Sequence, residues 1–389
     1  MDHKVNSGPT VNGKKQKNFI PDRLRRVRLA LGYSVIEFAD RIGVSRQALS
    51  QFEIGRTNPG YDTLQRIEEL TRYPVAYFFM PMENTVEGPF LFRAQSSASK
   101  RMKEIPRFVI SEMQDIYNYL DGFMDFAKVN VPNELEFSVY SDIEEIEDIT
   151  LRIRRHWGLG LGPISNITRL LEQNGFLVSK LSNHIEKIDA CSQWRNGRPY
   201  LFAGSNEISA SRLRFNVAHE AGHSFLHNER DLEIENEKSK EFHNLLEKQA
   251  HRFASSLLMP RETFLDEMYS TSFSHLIEMK RRWGVSIAAI IYRCHDLGIL
   301  TDGRYEMLIR QVRKYGKNEP LDLEIEQESP NSFRQAFELL VEHGVKTRDD
   351  ILRELPFPSD RLETLAGLEP GFFTEKTDTT NVVFLRPQK

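Results

Sequence analysis

Between residues 19 and 82 the apolar positions recur three and four apart in short stretches, the period of helices and not of strands. Leu24, Val27 and Leu31 mark a first helix, opened by Pro21 at a position where a helix accepts proline and stopped at Gly32. Ser34, with Glu37 three residues on, forms a capping-box pattern for a second helix carrying Val35, Phe38, Ala39 and Ile42. Gly43 and Val44 make a turn, and Ser45 caps a third helix bearing Ala48, Leu49 and Phe52. Asn58-Pro59-Gly60 breaks the chain before a fourth helix with Leu64, Ile67 and Leu70.

Beyond Pro81 the pattern loosens, and residues 83–104, with Gly88, Pro89 and Ser96-Ser97-Ala98-Ser99, read as a linker. Helical spacing returns over 106–128 (Val109, Met113, Ile116, Leu120), over 143–157 and over 164–174. Residues 176–181 and 188–203 read as strands, the second interrupted by an Asn196-Gly197 turn. Helices are expected over 211–227, over 239–258 and through most of the chain to about residue 345. A final strand is expected over 382–385. The predicted class is mainly α with a small β-sheet (α+β). The predicted order is a polar disordered tail (1–18), a helical domain (19–82), the linker (83–104), an α+β domain (105–275), its helical continuation (276–345) and an extension of no readable role (346–389).

Length and composition narrow the class. A chain of 389 residues exceeds one ordinary core, and 40% hydrophobic with 28% charged residues is the balance of a soluble globular protein. No apolar run reaches the ~18 residues of a transmembrane helix. The N-terminus lacks the apolar core of a signal peptide. Cys191 and Cys294 are too few for a disulfide framework or a four-cysteine zinc site, so a cytoplasmic setting without a membrane partner is expected. A net charge of −4 confines any nucleic-acid surface to one region. Lys14, Lys15, Lys17, Arg23, Arg25, Arg26, Arg28, Arg41, Arg46 and Arg56 gather in the first third, whereas the acidic runs 142–148 and 229–237 read as solvated faces.

The densest chemistry lies in His219-Glu220-Ala221-Gly222-His223. Residues four apart share a helix face, with Cβ atoms about 5–6 Å apart, which lets both imidazoles reach one metal ion. Glu220, directly after the first histidine, is placed to act as general base toward a water, whose pKa zinc lowers toward about 7. Leu213, Val217, Ala221 and Phe225 are apolar, and Gly222 permits close approach of a neighbour. The third ligand is expected from a second helix, where Glu247, Ala250 and Ala254 share one face and the small alanines would let that helix lie against Gly222. Glu241 and Glu262 lack that face. Two histidines and a glutamate leave one position open on zinc, as catalysis requires. His227 is a full turn too far along a straight helix to join them and reads as a supporting or structural residue, and His243 and His251 read as surface or supporting residues. The competing reading is an amphipathic helix whose two histidines make ordinary polar contacts.

Residues 34–56 fit a helix-turn-helix whose third helix exposes Ser45, Arg46, Gln47, Ser50 and Gln51. Arginine and glutamine read guanine and adenine edges in the major groove of double-stranded DNA, whereas Ser45 and Arg56 suit phosphates. The competing reading is a small bundle that binds a protein. Such domains usually act as homodimers on paired half-sites of an operator, and the helix over 106–128 could serve either as the dimer contact or as plain core.

Both regions resemble known families. The run Ser45 to Arg56 is similar to helix-turn-helix domains of the Xre type, over about residues 19–75. The stretch from Phe215 to His227, followed by Glu247 to Pro260, resembles the ImmA/IrrE family of metallopeptidases. Trp157-Gly158-Leu159-Gly160, Gly162-Pro163-Ile164 and Trp283-Gly284-Val285-Ser286 with Arg293 extend the likeness over roughly 145–345. His251 departs from the asparagine often found at its position in the family. The resemblance implies a gluzincin-like fold with His219, His223 and Glu247 on Zn2+, Glu220 as base, and cleavage of one peptide bond in a repressor protein. The segment 200–203 is the expected strand for edge pairing with extended substrate. Two further functions compete: a DNA-binding repressor or antitoxin-like regulator whose peptidase fold is a sensor, and self-cleavage within 83–104.

Overall fold

The structure is a computed structural model. It describes residues 18–83, 85–92, 100–132, 135, 137–181, 190–204, 209–227, 240–316 and 318–374. The polar tail, the acidic run 229–237, the serine-rich part of the expected linker and the expected strand over 382–385 lie outside the described residues. The chain divides into two compact units, residues 1–83 with Leu355–Phe357, and 84–354 with 358–389. No helix among the described residues is long and apolar enough to cross a membrane.

The first unit contains α1 (Pro21–Ala30), α2 (Val35–Arg41), α3 (Arg46–Glu53), α4 (Tyr61–Thr71) and a 3-10 turn (Val75–Phe79). Ser34 Oγ accepts from Glu37 N at 3.1 Å while Glu37 returns a carboxylate to Ser34 N at 2.8 Å, the reciprocal capping box at the start of α2. Ser45 Oγ accepts from Ala48 N and starts α3 in the same way. Gly43, at φ +66, makes the left-handed turn between them, a conformation that costs glycine little. Leu24, Val27, Phe38, Ile42, Leu49, Leu64, Ile67 and Phe78 form the core.

The second unit opens with β1 (Glu87–Phe92) and α5 (Lys100–Asp121), followed by α6 (Glu145–His156), α7 (Ile167–Gln173), β2 (Leu177–Leu181), β3 (Ala190–Arg195) and β4 (Arg198–Gly204). It continues through α8 (Ala210–Leu226), α9 (Lys240–Leu258), α10 (Arg261–Glu267), α11 (Phe273–Trp283), α12 (Ile287–Asp296) and α13 (Asp302–Arg313). It closes with α14 (Ser332–Glu342), α15 (Arg348–Glu354) and α16 (Ser359–Ala366). The α+β class is as predicted, but the expected linker holds a strand and the start of α5. Gly88 and Pro89 made 83–104 look irregular, yet a proline is tolerated on an outer strand, where β1 lies.

The sheet order is β1-β3-β4-β2, with β3 antiparallel to β1 and β4, and β2 parallel to β4. Val178, Leu201 and Ala203 join the core that contains α8 and α9. Strand alternation turns Leu177, Ser179, Tyr200 and Phe202 to the opposite face, where they are also buried. That face meets Tyr117 of α5, 6.4 Å from Tyr200 between ring centres, and α16, whose Leu365 carbonyl accepts from Ser179 Oγ at 2.7 Å. Val109, Ile110, Met113, Ile116 and Leu120 of α5 are fully buried, so this apolar face is core and not a dimer contact. The extension of no readable role thus contributes α16 to the sheet's cover, and Arg361 there forks onto buried Glu112 of α5.

Candidate functional sites

Helix α8 is buried nearly all round, and its polar residues Arg214, His219, Glu220 and His223 are buried with it. Buried polar groups in such number are costly unless partners are supplied, which marks the helix as more than core. His219 Nε2 lies 3.4 Å from one carboxylate oxygen of Glu247 on α9, and His223 Nε2 lies 3.4 Å from the other. The three potential ligand atoms fall within 4.8 Å of one another. Ligands about 2.0–2.1 Å from a tetrahedral zinc are separated by about 3.4 Å, so this donor set fits such an ion in both chemistry and spacing. Burial works to raise the Glu247 pKa, but the hydrogen-bonding imidazoles of His219 and His223 outweigh it and hold the carboxylate well below its usual range. A carboxylate kept ionised beside two imidazoles is the state a cation needs. Glu220, the expected base, is fully buried next to His219, and its charge adds to the burial that raises the thiol pKa of Cys191 on β3.

The supporting contacts were only partly legible. Gly222 does allow close packing, but its neighbour is Phe253, not Ala250 or Ala254: a Cβ at Gly222 would meet Phe253 at 2.9 Å. Both alanines are fully buried on α9. Glu147 of α6 takes a forked pair of hydrogen bonds from Arg293 of α12 at 2.5 and 2.9 Å and lies 3.0 Å from Arg252 Nε. That buried junction ties α9 to α6 and α12 just past Glu247; the sequence pattern contained Arg293 but gave no hint of its partner. Trp194 Nε1 of β3 donates to the Ser224 carbonyl at 2.9 Å and fastens the sheet to α8.

His227, at the C-cap of α8, is buried and does not join the ligand group; its Nδ1 lies 2.9 Å from His223 Nδ1. Burial, helped by His223, keeps its pKa well below that of a free imidazole. His243 comes only to 4.0 Å of Glu247, and His251 packs between the rings of Phe215 and Tyr292. The segment 200–203 is not an edge: β4 is flanked by β3 and β2, and the outer strands are β1 and β2. The missing signal was the parallel pairing of β2 with β4, a long-range contact that no local pattern announces.

In the first unit Ser45, Arg46, Gln47, Gln51 and Arg56 are exposed, Ser50 is half-buried, and Leu49 and Phe52 face inward. The basic surface is smaller than the sequence implied. Arg23 is buried and donates to the carbonyls of Met80 and Pro81 at 2.6 and 2.8 Å. Arg28 is buried in a fork on Glu53, at 2.5 and 2.9 Å, and also donates to the Tyr33 carbonyl at 2.8 Å. These arginines are braces: Arg28 clamps α1 to the end of α3, and Arg66 of α4 donates to the Ile42 carbonyl at 2.7 Å to hold the turn. Glu53 was the available sequence signal, since an acidic residue buried at the inner end of α3 needs a cation.

Residues 24–78 match the helix-turn-helix family, and residues 171–295 match the IrrE N-terminal-like domain of the peptidase M78 family. A protein of Methanocaldococcus jannaschii named as an HTH-type transcriptional regulatory protein is 29% identical over 119 residues, which are 30% of this chain and 29% of the relative. HTH-type transcriptional regulators of Sinorhizobium medicae and Rhizobium meliloti are each 29% identical over 93 residues, 22% of this chain and 67% of theirs. The chain thus spans under a third of the archaeal relative's length.

Proposed function

For a chain that joins an Xre-type helix-turn-helix domain to an IrrE-like domain of metallopeptidase fold, we propose a DNA-binding transcriptional regulator whose second domain is a zinc-dependent endopeptidase acting on a repressor-type protein. The observation that carries this reading is the cluster of His219 Nε2, His223 Nε2 and the Glu247 carboxylate, with Glu220 buried directly after His219 on α8. Two imidazoles and a carboxylate are a catalytic zinc set, and zinc when bound supplies a water acidic enough to react near neutral pH. Glu220 takes a proton from the attacking water and hands it to the leaving amide nitrogen. An extended substrate pairs with an outer strand of the sheet, β1 or β2.

In the other domain, Arg46, Gln47, Ser50 and Gln51 read base edges of a double-stranded operator, while Ser45 and Arg56 hold its phosphates. A homodimer spans two half-sites about one helical turn apart.

The names of the relatives favour a second reading, a regulator whose peptidase fold senses a signal without cutting. Mass spectrometry of cells expressing the native chain or Glu220→Gln separates the two. New peptide ends in one repressor-like protein, lost in Glu220→Gln while zinc is retained, are the expected outcome. Ends within this chain's own 83–104 segment would mean self-cleavage. No new ends, with regulation unchanged in Glu220→Gln, would leave the sensor reading.

A further inference from the structure

We infer that His227 and Gln249 form a hydrogen-bond relay that fixes which nitrogen of His223 is presented to the metal, making both of them positioning residues. The inference rests on the reading of His219, His223 and Glu247 as ligands. The relay starts at a backbone carbonyl. Val139 is fully buried against Phe242 and Leu246 of α9, and its carbonyl accepts from Gln249 Nε2 at 2.7 Å. A carbonyl has no proton to give, so the Gln249 amide is pinned with Nε2 toward Val139 and Oε1 away from it.

Oε1 lies 3.1 Å from His227 Nε2 and can only accept, which places the His227 proton on Nε2. A histidine bound to a metal through Nε2 keeps its proton on Nδ1, so His223 is the donor to its neighbour. His227 Nδ1, 2.9 Å from His223 Nδ1, is then the acceptor between them. That order turns the lone pair of His223 Nε2, the atom 3.4 Å from Glu247 Oε1, toward the metal position. Reversing any member of the series would set two N–H groups or two lone pairs against each other. A metal-bound histidine ordinarily gives its second N–H to a carbonyl or carboxylate. Here another imidazole takes that place, and it needs Gln249 to hold its own tautomer. The placement follows from the fold: His227 leaves the helix at the C-cap, and Gln249 sits two residues past Glu247 on the facing helix.

The test uses the full chain and zinc alone, with affinity read by competition against a chromophoric chelator. His227→Leu and Gln249→Met are each expected to weaken zinc binding by about 10–100-fold. His227→Gln keeps an acceptor for His223 and a donor for Gln249 in the same order, so it should restore most of that loss. In the zinc-loaded native chain with 15N-labelled histidine, long-range proton–nitrogen spectra should show His227 protonated at Nε2. A proton on His227 Nδ1 overturns the relay, and that reading stands even if a substituted chain fails to fold. Native zinc affinity in both His227→Leu and Gln249→Met also overturns it. A native chain that takes up no zinc overturns the metal reading and the relay together, whereas a zinc-binding native chain with indifferent variants overturns the relay alone.

Discussion

Helices α3 and α8 each carry a cluster of polar residues with a proposed task, in opposite surroundings. On α3 Arg46, Gln47 and Gln51 look outward, and Leu49 and Phe52 anchor the helix together with the Glu53 fork to Arg28. On α8 the polar side chains share the interior with Val217, Ala218 and Ala221, and His219 and His223 are met by Glu247 of α9. Exposed polar groups keep water as a fallback partner, whereas buried ones lose free energy as soon as a partner is removed. A surface site can therefore be altered one side chain at a time. An interior site answers as a network, and its changes reach stability as well as chemistry.

The largest expected effect comes from the interior. A His219→Ala, His223→Ala double variant should fall from about one zinc per chain, the content expected of the native protein, to none by elemental analysis, and excess zinc should raise the melting temperature of the native chain but not of the variant. Zinc retained at one per chain would sink the assignment of these ligands. Next is Gly222→Ala, which puts a methyl where Phe253 leaves no room. Overpacking should cost about 1–3 kcal/mol in chemical denaturation, against the ~1 kcal/mol that alanine gains over glycine in a helix. A net stabilisation would show that Phe253 moves aside freely and that α8 and α9 are less tightly matched than described. The smallest change in stability is expected on the surface. Arg46→Ala should shift unfolding by no more than about 0.5 kcal/mol while weakening operator binding by about 1–3 kcal/mol. Equal losses in folding and binding would erase the contrast between the two helices.

The same contrast explains what could be read in advance. The helix-turn-helix was legible almost residue by residue, because its caps, turn glycine and apolar period are local signals: Ser34 with Glu37, Gly43, Ser45. The ligand cluster was legible in composition, since His219 and His223 share a helix and Glu247 lies on a face with Ala250 and Ala254. What escaped were the partners brought from far along the chain. Arg293 with Glu147, Arg28 with Glu53, Phe253 over Gly222 and β2 beside β4 all depend on tertiary placement, which no spacing encodes. The arginines misled for the same reason, since a cation on the surface and a cation in a buried fork are spelled alike.

The cover that α16 lays over β2 has a practical consequence. The family match stops at residue 295, yet the sheet borrows its outer lining from residues 359–366. A fragment trimmed to the matched boundaries would strip α16 from β2 and leave the Ser179 hydroxyl without the Leu365 carbonyl, inviting copies to stick to one another through the bared face. The unit expected to fold cleanly is therefore longer than the segment that matches the family.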